Sequence, residues 1–149
     1  MMSEIIEKCW KQITHFGGVF FYMFLVAFFY ILDFQELSKK MFVALTVAYV
    51  VTVVIRLFYF KHRPKRQKYK NIIERIDASS FPSMHSMRAG IYLVMIPHFL
   101  NSLTALYFFS ILGIFICLSR FIIKKHYAND IIVGFILGLI IGLIGIAYF

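Results

Sequence analysis

The chain has 149 residues, of which 61% are hydrophobic and only 15% charged, with a mean hydropathy of +0.80 and a formal charge of +9. The apolar residues fall in long blocks with the charges between them. This excludes an ordinary soluble domain and predicts one all-α membrane bundle. The positive charge does not call for nucleic acid, because the basic residues flank apolar blocks and leave no long polar surface for a duplex; anionic headgroups or a phosphorylated lipid fit better.

Residues 3–15 read as an amphipathic helix lying on the membrane. Ser3 is its expected cap, with Glu4 in the first turn. Ile5, Ile6, Cys9, Trp10, Ile13 and Phe16 recur at helical spacing, and Trp10 suits the interface. The mixed charge of this segment, and the lack of a small-residue cleavage site after the first apolar run, argue against a cleaved signal. Residues 16–32 form the first expected span, 33–40 a polar turn, and 41–60 the second span. Arg56 lies one turn from the end of that span, where a charge is costly and marks a functional site by default.

Residues 61–80 are a basic polar loop opening with Lys61-His62-Arg63-Pro64-Lys65-Arg66, which reads as a headgroup-facing rim. Pro64 biases Arg63 toward an extended backbone. Residues 71–76 suit a short interfacial helix. Pro82 and Ser83 mark a helix start with Ser83 as cap, leading into a third span at about 86–100 with Pro97 near its end. Asn101-Ser102 is a turn, 103–118 a fourth span and 131–149 a fifth. Gly134, Gly138 and Gly142 recur every fourth residue, spacing that lets another helix pack closely. The two cysteines, Cys9 and Cys117, sit in different settings and suggest neither a disulfide nor a metal cluster.

Counting crossings places the N-terminal segment, the 61–85 loop and the 119–130 loop on one side. Arg56, Arg63, Ser83, His85, Arg120, His126 and Asp130 then converge. Arginines, a serine and helix N-terminal amides make an anion cradle. Two histidines beside such a cradle suit phosphoryl transfer, one attacking phosphorus and the other protonating the leaving oxygen. Asp130, four residues after His126, is expected to hydrogen-bond one nitrogen of its ring. The arginines oppose a divalent cation, so neither metal nor cofactor is expected.

Three motifs carry a resemblance: Arg56-(six residues)-Arg63-Pro64, Pro82-Ser83-Met84-His85, and Ser119-Arg120-(five residues)-His126-(three residues)-Asp130. They resemble the signatures of the type 2 phosphatidic acid phosphatase superfamily, the membrane lipid phosphatases that share a site with vanadium haloperoxidases. The resemblance covers residues from about 56 to the C-terminus. It implies that His126 is a nucleophile forming a phosphohistidine, that Asp130 orients it, and that His85 is the general acid. It implies that Arg56, Arg63, Ser83, Arg120 and the backbone at Met84 bind phosphate. Two positions depart from the family pattern: Arg56 stands where Lys is usual, and Met84 where Gly is usual. The family often has six spans, against the five plus an interfacial helix counted here.

The implied activity is metal-independent hydrolysis of a lipid phosphate or diphosphate such as a polyprenyl diphosphate, phosphatidate or phosphatidylglycerophosphate. The rival readings are a lipid phosphotransferase using the same histidine, and a non-catalytic lipid-phosphate-binding protein. The expected setting is a multi-pass protein, in the cell membrane, among membrane lipids. About fourteen of the sixteen Lys and Arg residues fall on the site's side, which favours the cytoplasm by the positive-inside rule. Several of those residues bind phosphate in this reading, so both orientations stay open. The sequence does not fix an oligomeric state.

Overall fold

The computed structural model describes residues 2–65 and 67–148, with the side chains of residues 2–4 undescribed. The expected Ser3 cap, the Glu4 side chain and Arg66 therefore lie outside the described residues. The described residues form seven α-helices and no strand. In chain order these are α1 (Met2–Ile13), α2 (Val19–Ile31), α3 (Gln35–Phe58), α4 (Ile72–Ala78), α5 (Met84–Leu100), α6 (Leu103–Ile122) and α7 (Ala128–Tyr148). A single 3-10 turn, Thr14–Gly17, joins α1 to α2.

Helices α3, α6 and α7 are each long and apolar enough to cross a membrane, and α1 with α2, bent by 47°, makes a fourth if the pair is one span. Five separate spans were expected. The first of them breaks at Gly17-Gly18, leaving α2 with 13 residues, or about 20 Å at 1.5 Å per residue. The third expected span is α5, which has 17 residues. It packs between α6, α7, α3 and the 3-10 turn, so its apolar residues face protein. Met87, Ala89, Ile91, Met95 and Ile96 on it are fully buried.

Helix ends differ from expectation in ways that matter for the site. The polar residues 35–40 are helical: Glu36 pairs with Lys40 one turn on, at 3.1 Å, and the Ser38 hydroxyl donates to the Val26 carbonyl at 2.8 Å. Helix α6 runs to Ile122 and so carries Arg120. Helix α7 starts at Ala128 and carries Asp130 in its first turn. The expected short helix is α4, capped by the Asn71 side chain, which accepts from the Glu74 amide at 2.8 Å. Asn101 turns the chain in the left-handed region (φ 46°), and Ser102 caps α6.

The glycine row of α7 packs against α5, backbone to backbone. A Cβ on Gly134 would meet the Ser83 carbonyl oxygen at 2.5 Å, and one on Gly138 would overlap the Met87 carbonyl. Gly90 of α5 reciprocates, its Cβ position falling 2.6 Å from the Phe135 carbonyl oxygen. This contact locks the start of α5 against the start of α7, and both starts lie in the site.

Candidate active site

A cavity of about 290 Å³ opens at the end of the bundle where the three motifs meet. Its polar lining comprises Arg56, Arg63, Asp77, His85, Arg88, Arg120 and His126, with Tyr49, Thr52 and Met84. Four guanidiniums against one carboxylate make it strongly anion-attracting.

His126 is buried in the loop between α6 and α7, only 3% exposed. Its Nδ1 lies 2.6 Å from the Ser80 carbonyl oxygen. A carbonyl only accepts, so Nδ1 carries the proton. Nε2 lies 3.4 Å from Nη2 of Arg120, which only donates, so Nε2 presents a lone pair. Burial first, and then the positive charge of Arg120, push the His126 pKa down to about 2. The ring is thus held neutral in one tautomer, its free nitrogen beside an arginine.

The Ser80 carbonyl owes its position to the first motif's loop. The Ser80 amide donates to the Lys61 carbonyl at 2.8 Å and its hydroxyl to the His62 carbonyl at 3.3 Å. Arg56 fastens the same segment. Its Nε, Nη1 and Nη2 donate to the carbonyls of Phe81, Ile76 and Pro82 at 3.2, 3.0 and 2.9 Å. A lysine has no fork to reach three carbonyls at once, which accounts for an arginine here. Arg56 lines the cavity, but three of its five N–H groups hold protein backbone.

The expected Asp130–His126 hydrogen bond is not formed. His126 precedes the first turn of α7, so the four-residue helical spacing does not bring the two side chains together. Asp130 instead reaches back from the third position of the helix to the Tyr127 amide, 2.9 Å away, as in a capping box. Its other oxygen accepts from Lys61 Nζ at 2.6 Å, and that lysine also lies 4.7 Å from the centre of the Tyr127 ring. Asp130 is fully buried and is not part of the cavity wall.

Ser83, expected as a phosphate ligand, stands at the start of α5. It is fully buried and its hydroxyl caps α5, accepting from the Ser86 amide at 3.4 Å and the Ser86 hydroxyl at 3.0 Å. A cap must turn its oxygen back onto its own helix, and this one does not reach the cavity wall. Met84 does line the cavity, its thioether accepting from the Thr52 hydroxyl. His85 stands in the first turn of α5 against Gly17, where a Cβ would meet the His85 Cβ and Cδ2 at 3.0 Å.

Arg63 donates from Nη1 to Gln67 at 2.7 Å and from Nη2 to the Asp77 carbonyl. Arg120 donates from Nη1 to the Thr14 hydroxyl at 2.7 Å. Among the described residues, the buried side-chain nitrogens with no hydrogen-bond partner are the Nε atoms of Arg63, Arg88 and Arg120. All three arginines line this one cavity. Buried donors without partners are costly, and each calls for an explanation such as strain, a catalytic role or a bound water or ion. Here they ask for an anion.

The sequence reading missed the N-terminal turn, Lys61 and Arg88. Thr14 holds Arg120, and the Gly17 carbonyl accepts from Arg88 at 2.7 Å. Helix α1 lies against α6, with Trp10 6.1 Å from Phe115. Thr14 and Gly17 carried no signal, but Arg88 did: an arginine inside an expected span, one turn past His85, is the same cue that singled out Arg56.

The PAP2 superfamily model matches residues 37–149, more than half of the chain. The chain belongs to the PAP2 superfamily. Two solved structures share the fold of this PAP2 chain. LpxE of Aquifex aeolicus matches with a TM-score of 0.81 at 20% identity, over 97% of this chain and 87% of that one. The first transmembrane PAP2-type phosphatidylglycerolphosphate phosphatase from Bacillus subtilis matches with a TM-score of 0.78 at 20% identity, over 96% and 76%. A search of curated proteins gave no match. The fold of this chain is therefore that of membrane PAP2 proteins, and its three motifs lie at one end of it.

Proposed function

We propose that this PAP2 membrane protein hydrolyses a lipid phosphate or diphosphate without a metal, through a phosphohistidine on His126 Nε2. The observation that carries the reading is the state of His126: proton fixed on Nδ1 by the Ser80 carbonyl, lone pair on Nε2, arginines around it. A nucleophile needs that neutral tautomer, and a tetrahedral phosphoryl group needs donors on its equatorial oxygens.

In the first step the Nε2 lone pair attacks phosphorus and the bond to the lipid oxygen breaks. Burial and Arg120 hold the His85 pKa well below the usual value, so the negative charge of the bound phosphate must bring His85 its proton. His85 then delivers that proton to the lipid oxygen, and the imidazolium of phosphorylated His126 is held by the Ser80 carbonyl. Arg63 and Arg120, with their unpartnered Nε donors, bind the equatorial oxygens. In the second step water attacks phosphorus, His85 takes its proton, and the N–P bond breaks to return neutral His126. Arg56, Ser83, Lys61 and Asp130 serve as positioning residues, tying the loop and the two helix starts together. Four arginines around one carboxylate repel a divalent cation, which supports the metal-independent route. The apolar wall of Val53, Ile73 and Ile76 gives a lipid tail a way out between α3 and α4. This supports one membrane-embedded domain acting on membrane lipids, and phosphorylated glycerolipids are among the substrates to try, since a phosphatidylglycerolphosphate phosphatase from Bacillus subtilis shares the fold.

The test is phosphate release in detergent with chelator present, from phosphatidate, phosphatidylglycerophosphate and polyprenyl phosphates and diphosphates. Wild type is expected to turn over at least one, and His126→Ala to lose that turnover by 10³-fold or more, on the order expected for a covalent nucleophile. Turnover surviving in His126→Ala overturns the mechanism, and no release from any lipid by folded wild type overturns the phosphatase reading.

A further inference from the structure

Arg88 has no part in the mechanism above. It is 3% exposed, in the second turn of α5. Two of its five N–H groups have partners: Nη1 donates to the Gly17 carbonyl at 2.7 Å and Nη2 to the Tyr49 hydroxyl at 3.0 Å. Its Nε is buried without a partner. A desolvated guanidinium with no carboxylate beside it is an expensive way to tie a carbonyl and a phenol.

Position says what it waits for. His85 and Arg88 are three residues apart on α5, on the same side of the helix, and both line the cavity. Helix α5 runs away from the site end, so the Arg88 backbone lies one turn deeper, about 5 Å past that of His85. The cavity follows: on α3 it extends from Arg56 back to Tyr49, seven residues or about 10 Å along the axis. In the proposed reaction His126 attacks from the loop side and His85 meets the leaving oxygen. Arg88 is then beyond that oxygen, on the lipid's side of the bond that breaks.

Charge agrees with position. Four guanidiniums and one carboxylate leave three positive charges in excess in the cavity. A phosphate monoester brings about −1.5 to −2, and a second phosphate brings the rest.

We infer that Arg88, with Tyr49, forms a second anion subsite that binds the inner phosphate of a lipid diphosphate, making diphosphates the preferred substrates of this site. The inference rests on the phosphatase reading. With such a substrate the bond between the outer phosphorus and the bridging oxygen breaks. The bridging oxygen keeps the electron pair and leaves on the lipid monophosphate. Arg88 holds the charge that develops there, while the outer phosphoryl group passes to His126 and then to water.

The experiment compares initial rates of phosphate release from a polyprenyl diphosphate and the monophosphate of the same tail, in detergent with chelator. Wild type is expected to show the higher kcat/KM with the diphosphate. Arg88→Gln is expected to lower the diphosphate-to-monophosphate ratio of kcat/KM by about 10- to 100-fold, the effect of one charge-assisted contact. Arg88→Lys is expected to keep part of the preference. Tyr49→Phe leaves the tie to Gly17 intact and is expected to lower the ratio a few-fold, so it decides the matter if Arg88→Gln does not fold. A ratio unchanged in every folded variant means that Arg88 is only a structural tie and overturns the inference. Wild type that hydrolyses the monophosphate as well as the diphosphate also overturns it, while the phosphatase reading stands. Wild type that hydrolyses neither, nor any other lipid phosphate, overturns both.

Discussion

Gly134→Ala tests whether the contact between α5 and α7 sets the geometry of the site. An alanine Cβ there would meet three backbone atoms of Ser83, at 2.5, 3.0 and 3.2 Å. Ordinary contact begins near 3.4 Å, so the nearest pair must separate by about 0.9 Å. Ser83 is the cap of α5 and its amide donates to the Asp130 carbonyl at 3.0 Å, so it cannot move alone. The start of α5, with Met84 and His85, must shift away from α7 and His126. Alanine gains about 1 kcal/mol in helix propensity over glycine, while overpacking costs about 1–3 kcal/mol. The net loss of stability is therefore small, up to about 2 kcal/mol. The loss of activity should be larger, because a displacement of about 1 Å between catalytic groups costs about 100-fold in rate. Gly113→Ala is the internal control, since its Cβ would find its nearest neighbours at 3.8 and 3.9 Å. The assay pairs thermal unfolding in detergent with kcat on a lipid phosphate. Full activity in Gly134→Ala would refute the claim that this contact positions His85.

His126 makes stability depend on pH. Its folded pKa, about 2, lies below the usual 6.5 of the unfolded chain, which therefore binds the extra proton between those values. Above pH 6.5 the group contributes nothing to the dependence; as pH falls below 6.5 stability drops, by about 1.4 kcal/mol per unit. Between pH 7 and 5, wild type should lose about 2 kcal/mol more than His126→Gln in denaturant unfolding; equal losses would mean that the folded ring takes up a proton in this range. Lys61→Met should destabilise the fold by about 2–3 kcal/mol, because it leaves the fully buried Asp130 carboxylate with only the Tyr127 amide, and less than for a fully buried pair because Lys61 is partly exposed. Unfolding midpoints decide it, and an unchanged midpoint would show that the ion pair carries no weight.

The sequence alone determined the class and much of the frame. Apolar blocks too long and too uniform for a soluble core dictated membrane helices, and the cap Ser83 marked where α5 begins, because these effects are local. The three motifs also reside in local spacing, so a convergence of arginines and histidines at one end was legible before any coordinates. Tertiary structure decided the contacts within the site. His126 is held by the Ser80 carbonyl and not by Asp130. A backbone carbonyl is present at every residue and leaves no mark in the sequence, whereas an aspartate four residues away does. One residue, the N-cap Tyr127, separates His126 from the first residue of α7, and that removed the helical geometry on which the pairing depended. Thr14, Gly17 and Lys61 gained their partners through chain reversals, 106, 71 and 69 residues from Arg120, Arg88 and Asp130. No short-range pattern records a contact that only the closing of the bundle brings about.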